Sequence, residues 1–298
     1  MKIIQTATSF LAFSAQALGH GYIYRVTSDN TVYPGYDIFI DPALTPAPYR
    51  IAYGGGSTGP VFDSSSTAIA CNTVHTPAPG YIAQARAGSN VTFHWSRWLH
   101  SHKGPITAWM APYSGDVANV DVNQLEFFKF GEDAVGADGV WATDRFMDET
   151  NGTWTTTIPA DIKPGTYIIR QEIIALHFAV RTTPGFEWSP IGPQFYMTCF
   201  NFNITGSGTA TPQGAKFPDA YDKADPGLNW DLNSTAPYPL AGPKKYVSAY
   251  AAQGLVPNQL VSVSPTGDKD GDVKYYDAQY QALQAQGGVT SYFESIGG

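Results

Sequence analysis

The chain has 298 residues and a net charge of −8, and 14% of its residues are charged whereas another 14% are aromatic. The acidic balance argues against nucleic acid as the partner, because phosphate binding needs clustered Lys and Arg. A surface with little charge and many aromatic rings suits a neutral polysaccharide, although we expect most of these rings to fill a β core.

Residues 1–19 are predicted to be a secretory signal peptide. Lys2 supplies the positive end, residues 3–13 are mostly apolar, and small residues precede position 20. Cleavage there would make His20 the first residue of the mature chain, whereas a cut after Ala17 is the competing interpretation. The apolar run is too short to span a bilayer, so we expect a secreted, extracellular protein with no membrane partner.

Residues 20–246 are predicted to form one all-β domain. Short runs of alternating apolar and polar residues recur between clusters of Gly, Pro, Asn and Asp. Because the strands are many, short and joined by turns, the economical architecture is an antiparallel, immunoglobulin- or fibronectin-like β-sandwich. The clearest predicted strands cover residues 90–95, 152–158, 166–176 and 195–204.

Two long loops and a C-terminal extension interrupt this pattern. The predicted loops cover residues 31–63 and 179–193, and loops of this length in a compact domain are commonly functional, with surface decoration as the alternative. Residues 247–298 lack cysteine, and we interpret them as a linker-like, partly disordered extension with one short helix at 277–286.

The cysteines and the sequons are typical of a secreted glycoprotein. In an oxidising compartment we expect the two cysteines, Cys71 and Cys199, to pair. Asn-x-Ser/Thr sequons mark candidate glycosylation sites, any of which could be empty or buried. The sequons begin at Asn90, Asn151, Asn203 and Asn233.

Six histidines occur, and three of them stand at informative positions. His20 lies at the predicted new terminus, His102 falls between an apolar strand and a Lys-Gly-Pro turn, and His177 ends a predicted strand. Gln194 and Tyr196 follow on the next strand, where residues i and i+2 share one face. The other histidines are expected to pack or hydrogen-bond locally: His75, His94 and His100.

Several ordered motifs resemble the fungal lytic polysaccharide monooxygenases of auxiliary-activity family nine, formerly glycoside hydrolase family sixty-one. Each motif alone is weak, but the matches run in the family's order through nearly all of residues 20–246. The motifs are His-Gly at 20–21, SHKGP at 101–105, FFKFGE at 127–132, PGTYIIRQEIIALH at 164–177, PQFYMTC at 193–199, NITGSGTATP at 203–212, FPDAYDKADPGLNW at 217–230 and PLAGPKKY at 239–246.

The resemblance implies a copper site called a histidine brace. His20 would supply its amine and Nδ1, His102 would supply a third nitrogen, and Tyr196 would be the distant axial group. His177 and Gln194 would surround the oxygen species as the further catalytic residues. Nitrogen ligands in tetragonal geometry favour Cu(II), and copper can cycle between oxidation states.

The resemblance also implies a disulfide between Cys71 and Cys199 and a flat surface for the substrate. Tyr246 matches the family's C-terminal aromatic residue that stacks on a glucose ring, and Tyr22 is a second candidate for substrate contact, with a core position as its alternative. The chain departs from the family pattern near the oxygen pocket, at Gln171, Phe178 and Pro193.

The expected function is copper-dependent oxidative cleavage of β-1,4-glucan, in cellulose or a related hemicellulose, by hydroxylation at C1 and/or C4. It would require an external electron donor and O2 or H2O2, and we expect a monomer. One alternative is a glycoside hydrolase, but Glu172 beside Arg170 more simply forms a structural ion pair. The other alternative is a non-catalytic protein that binds cellulose or carries copper.

Overall fold

The computed structural model describes residues 20–44, 50–54, 58–72, 79–96, 98–181, 187 and 189–249. The predicted signal peptide, the helix predicted at 277–286, His75 and residues 250–298 lie outside them. The strands are β1 (Ile23–Ser28), β2 (Thr31–Pro34), β3 (Ala83–Arg86), β4 (Asn90–Trp95), β5 (Ile106–Pro112), β6 (Phe128–Asp133), β7 (Thr153–Thr157), β8 (Gly165–Ala175) and β9 (Gln194–Thr205), and the helix α1 is Ala142–Asp148. No helix among the described residues is long and apolar enough to cross a bilayer.

The strands form two sheets that pack as a sandwich, as predicted. The first sheet has the order β2-β1-β4-β7 and the second has the order β3-β9-β8-β5-β6. Every pairing is antiparallel except the one between β3 and β9, which is parallel. The predicted antiparallel sandwich is therefore confirmed, with one parallel pair at the edge of the second sheet. A parallel pair requires a long connection between its strands, and here residues 87–193, which carry β4 to β8, separate them.

Side-chain alternation directs the first sheet onto the core. In β4, Val91, Phe93 and Trp95 are buried while the residues between them face outward. Burial of these side chains against the second sheet stabilises the fold by roughly 25 cal/mol per Å² of apolar surface removed from water. The predicted strand at 90–95 is confirmed at both ends.

The central strand of the second sheet is buried on both faces. One face of β8 packs Ile169 and Ile173 into the space between the sheets, and the other packs Ile168 and Ile174 under an outer layer. The disulfide Cys71–Cys199 joins this outer layer to β9, with Cα atoms 5.3 Å apart, so the predicted pairing is confirmed.

The described residues that follow β2 and β8 leave the sandwich at one end, which we call the histidine end. It is the end where β1, β5 and β9 begin and where β4 and β8 finish. The loop predicted at 31–63 starts later than expected, because its first four residues form β2 and pair with β1. Alternation over only four residues is too short a signal to distinguish a strand from a turn.

Candidate metal centre

Three histidines and one tyrosine meet at the histidine end. The ring centroid of His20 lies 5.8 Å from that of His102 and 5.6 Å from that of Tyr196. The His102 and His177 rings are 4.1 Å apart. The residues selected from the sequence therefore converge, although they come from four separate segments of the chain.

His20 is held by the start of the first sheet. It stands three residues before β1, and the segment between them is fixed by two hydrogen bonds to the end of β4. The Tyr22 amide donates to Ser96 Oγ at 3.0 Å, and the Ser96 amide donates to the Tyr22 carbonyl at 2.9 Å. These bonds anchor Tyr22, two residues after His20, and thereby hold the backbone that carries the His20 imidazole.

His102 is held by a tight turn that runs against β8. Its amide donates to the Leu99 carbonyl at 2.9 Å, and Ser101 Oγ lies 3.0 Å from its Nδ1. A Cβ on Gly104 would lie 1.8 Å from the Ile174 carbonyl oxygen, so only glycine allows the turn to approach the strand so closely.

His177 and Tyr196 approach the site from neighbouring strands of the second sheet. His177 lies just beyond β8, and its buried Nδ1 has no hydrogen-bond partner. At the start of β9, the Tyr196 hydroxyl donates to Gln194 Oε1 at 2.7 Å. Gln194 and Tyr196 thus share one face, as the i, i+2 spacing predicts.

Burial sets the protonation of this cluster. Desolvation lowers the pKa of His102 to about 3, with smaller contributions from His177 and His20. Desolvation likewise lowers the pKa of His177 to about 4, helped by His20, and it lowers the pKa of His20. It raises the pKa of Tyr196. At neutral pH the imidazoles are therefore neutral, with lone pairs available to a metal, and the phenol keeps its proton.

One residue of the centre was not selected from the sequence. Trp98 is buried behind the site, with its ring 4.8 Å from that of Tyr196 and 5.7 Å from that of His102. Its indole N–H donates to the His102 carbonyl at 3.2 Å. The only sequence signal was an apolar aromatic residue four positions before the histidine, which is too common to indicate a role.

The two aromatic residues selected for substrate contact lie in different places. The Tyr22 hydroxyl donates to Asp37 Oδ2 at 3.2 Å, beside the metal centre. The Tyr246 hydroxyl donates to Asp161 Oδ2 at 2.9 Å, and its ring packs against Phe128. Asp161 precedes β8, whereas the histidines follow it, and eleven strand residues span about 36 Å. The structure therefore does not bring Tyr246 to the histidine end.

The remaining histidines and the sequon asparagines lie outside the candidate metal centre. His94 Nε2 lies 2.9 Å from Thr27 Oγ1, and His100 Nε2 lies 2.7 Å from Asp148 Oδ1, so the local role expected of both is confirmed. Among the sequons, Asn203 is partly buried in β9 and donates to Gln84 Oε1 at 2.7 Å. The exposed sequon asparagines are Asn90, Asn151 and Asn233.

Large apolar side chains are exposed on the described part of the chain, and two of them lie near the candidate site. The ring of Phe39 lies 5.9 Å from that of Tyr22, and Phe62 follows Val61, which pairs with Phe195 near the start of β9. Ile191, at 63% exposure, is the most exposed of the set. The set consists of Phe39, Phe62, Val135, Val140, Val180, Ile191 and Val247.

The side chains alone do not complete a metal site. Within the described residues, no three His, Cys, Asp or Glu side chains are grouped so that they could hold one ion. His20 and His102 offer two imidazoles, and two such ligands leave a metal short of a stable coordination set. A third nitrogen would have to come from the α-amine of His20, which exists only if the chain begins there.

Comparison with known proteins identifies the family. Residues 20–239 match Auxiliary Activity family 9, formerly GH61. The AA9 family lytic polysaccharide monooxygenase B of Geotrichum candidum is 38% identical over 246 residues, which cover 81% of this chain and 66% of that protein. Lytic polysaccharide monooxygenase A of the same organism is 37% identical, with 82% of each chain covered. The chain thus spans about two thirds of the first relative and more of the second.

Solved structures give the same result. The extended catalytic domain of H. jecorina LPMO9A, also called EG4, superposes with a TM-score of 0.68 at 29% identity, over 84% of this chain and 96% of that one. The Hypocrea jecorina glycoside hydrolase family 61 member Cel61B also gives a TM-score of 0.68, at 26% identity, over 76% of this chain and 100% of its own. The chain therefore belongs to Auxiliary Activity family 9, the lytic polysaccharide monooxygenases.

Proposed function

We propose that this chain is a secreted copper enzyme that cleaves β-1,4-glucan oxidatively, at C1 and/or C4 of the glycosidic bond. The observation that carries the proposal is the approach of His20 to His102, with ring centroids 5.8 Å apart, at the predicted first residue of the mature chain. Copper, once bound and reduced by an external electron donor, would supply the activation of O2 or H2O2 that cleavage of a strong C–H bond requires.

The residues present fit a copper ion. Both imidazoles are neutral at neutral pH, because burial holds their pKa values below the ordinary value. The Ser101 hydroxyl occupies Nδ1 of His102 and leaves Nε2 for a metal. With the amine and Nδ1 of His20, the set contains three nitrogens, which is a donor chemistry suited to Cu(II).

The surrounding residues would control the oxygen co-substrate and its protons. The unpartnered Nδ1 of His177 is available for a hydrogen bond or a proton. Gln194 holds the phenolic proton of Tyr196 through its Oε1, so the phenol stays oriented and protonated. Hydrogen bonding of this kind orients and tunes the groups at a metal site.

The substrate proposed is an insoluble or soluble β-glucan, cellulose or a related hemicellulose. The exposed ring of Phe39 packs against Tyr22, two residues from His20, and a crystalline polysaccharide presents the apolar C–H faces of its rings to side chains of this kind. We propose that the protein acts as a monomer outside the cell, with its amine freed by removal of residues 1–19, and that it binds neither nucleic acid nor membrane. The folded domain we assign extends from residue 20 to about 246, and residues 247–298 form the extension.

The carboxylate that the hydrolase alternative would use, Glu172, is enclosed in the fold. Glu172 is fully buried and is paired with Arg170, and it also accepts a hydrogen bond from the Tyr221 hydroxyl. A group enclosed in this way serves the packing of the outer layer rather than hydrolysis.

Product analysis on cellulose tests the proposal. The secreted protein, loaded with copper and supplied with ascorbate, should release oxidised oligosaccharides, and mass spectrometry should find His20 as its first residue. His20→Ala and His102→Ala should each abolish oxidised products, whereas His100→Ala, a histidine two positions away that bonds Asp148, should not. Reducing-end products without reductant would favour the hydrolase, and copper binding without oxidised products would favour the non-catalytic carrier.

A further inference from the structure

The candidate copper site is divided between the two sheets. His20 precedes β1 of the first sheet, whereas His102, His177 and Tyr196 are carried by the ends of β5, β8 and β9 of the second sheet. The separation between His20 and the other groups therefore depends on how the sheets are held together at the histidine end. Apolar packing alone is non-directional and tolerates small shifts.

A buried side-chain hydrogen bond joins the two sheets at this level. The indole N–H of Trp95, the last residue of β4, donates to Gln171 Oε1 of β8 at 2.8 Å. Gln171 is fully buried, and its amide nitrogen donates to the Glu172 carbonyl at 3.3 Å. Since a buried donor without a partner is costly, the bond fixes the distance and direction between the two strands.

Trp95 connects this bond to the segment that carries His20. Its backbone is in register with Ile23, the first residue of β1. The next residue, Ser96, forms the two hydrogen bonds that hold Tyr22. A displacement of Trp95 would thus move the start of β1 and the histidine that precedes it.

Trp95 also connects the bond to the other half of the site. Its ring meets that of Trp98 edge-on, with centroids 5.4 Å apart. Trp98 in turn packs against Tyr196 and donates to the His102 carbonyl. Trp95 is therefore linked to His20 along the backbone, through Ser96 and Tyr22, and its indole is linked to His102 and Tyr196 through Trp98.

We propose that Gln171 is a positioning residue for the copper site, which sets the separation of His20 from His102 and Tyr196 by holding Trp95 across the sandwich. The inference deepens the proposed copper function and rests on it. What the position requires is a hydrogen-bond acceptor aimed at the Trp95 indole, and an imidazole nitrogen can provide one as well as an amide oxygen.

Copper binding to three variants tests this role. Gln171→Met removes the acceptor at nearly constant volume, and Gln171→His restores an acceptor. Asn201→Leu is the matched control, because Asn201 is a buried amide on β9 that accepts from the Tyr113 hydroxyl at 2.5 Å, toward the end of the sandwich remote from the histidines. The measurements on the secreted chains are the Cu(II) dissociation constant by calorimetry, the Cu(II) electron paramagnetic resonance spectrum and the melting temperature of the metal-free protein.

We expect Gln171→Met to weaken copper binding about tenfold and to shift the copper hyperfine coupling, as loss of outer hydrogen bonds does at other metal sites. Gln171→His should keep the copper dissociation constant within twofold of that of the parent chain. Its electron paramagnetic resonance spectrum should superimpose on that of the parent. Asn201→Leu should lower the melting temperature without changing either copper value. An unchanged spectrum and dissociation constant in a folded Gln171→Met chain would overturn the inference. If Gln171→Met does not fold, a Gln171→His spectrum unlike that of the parent would overturn it instead. A parent chain that does not bind copper would instead overturn the proposed function.

Discussion

Removal of the disulfide is the perturbation whose cost follows most directly from the structure. Cys71 and Cys199 close a loop with a sequence separation of 128 residues. Loop-closure entropy predicts that a crosslink of this length stabilises the folded state by about 5 kcal/mol at 25 °C. The double variant Cys71→Ala, Cys199→Ala should lose roughly this free energy of unfolding, and its melting temperature should fall by about 10–20 °C.

Chemical denaturation in urea measures this loss. The slope of the unfolding free energy against urea should rise in the double variant, because the unfolded chain without a crosslink exposes more surface. In the absence of denaturant the double variant should keep β9, which carries Tyr196, paired with β8, because the two strands pair at eleven positions from Gln194 to Ile204. A loss below about 1 kcal/mol with an unchanged slope would refute the loop-entropy reasoning.

Three further predictions concern the turn, the histidines and the glycans. Gly104→Ala should destabilise the fold by about 2 kcal/mol or more, because its Cβ would meet a backbone carbonyl at 1.8 Å. Burial lowers the pKa of His102 to about 3 and that of His177 to about 4, from an ordinary value of 6.5. Between about pH 6.5 and 4 the unfolded state therefore binds more protons than the native state, and the metal-free protein should lose roughly 1.4 kcal/mol per pH unit for each such histidine as the pH falls. Asn151→Gln should remove one glycan, whereas Asn203→Gln should remove none, because β9 is paired on both sides at that residue.

Urea unfolding at fixed pH measures the effect of Gly104→Ala, and urea unfolding as a function of pH measures the contribution of the histidines. Mass spectrometry of the intact secreted chain counts the glycans. Gly104→Ala with parental stability would show that the turn can move away from β8. His177→Gln should reduce the pH dependence by one histidine's share, and an undiminished pH dependence in that variant would contradict the reasoning. A glycan found on Asn203 would mean that this end of β9 opens before it is modified.

Much of the architecture could be predicted from local patterns. Alternation over residues 90–95 predicted β4 with both of its ends, and the strands predicted at 166–176 and 195–204 match β8 and β9 to within one residue. The prediction of β4 succeeded because a strand with one buried face alternates with a period of two, and that of β8 because β-branched residues, which favour strands, follow a Pro-Gly turn. The four residues of β2 were assigned to a loop, since they are too few to show that period.

The candidate site was predictable only in part. Residue identity and order, through the family resemblance, selected His20, His102, His177 and Tyr196, and the structure brings their rings together. The same reasoning selected Tyr246, whose hydroxyl is held by Asp161 instead. A motif match assigns a residue to a position in the family's pattern. The direction of its side chain depends on contacts with residues outside the motif.

By itself, the sequence determined the class of fold, the pairing of its two cysteines and the set of groups that could hold a metal. The tertiary structure alone decided the parallel pairing of β3 with β9 and the hydrogen bond from Trp95 to Gln171. The reason is physical: periodicity and residue chemistry act within a few neighbouring residues, whereas each of these features joins segments that lie far apart in the chain and become neighbours only when the two sheets pack.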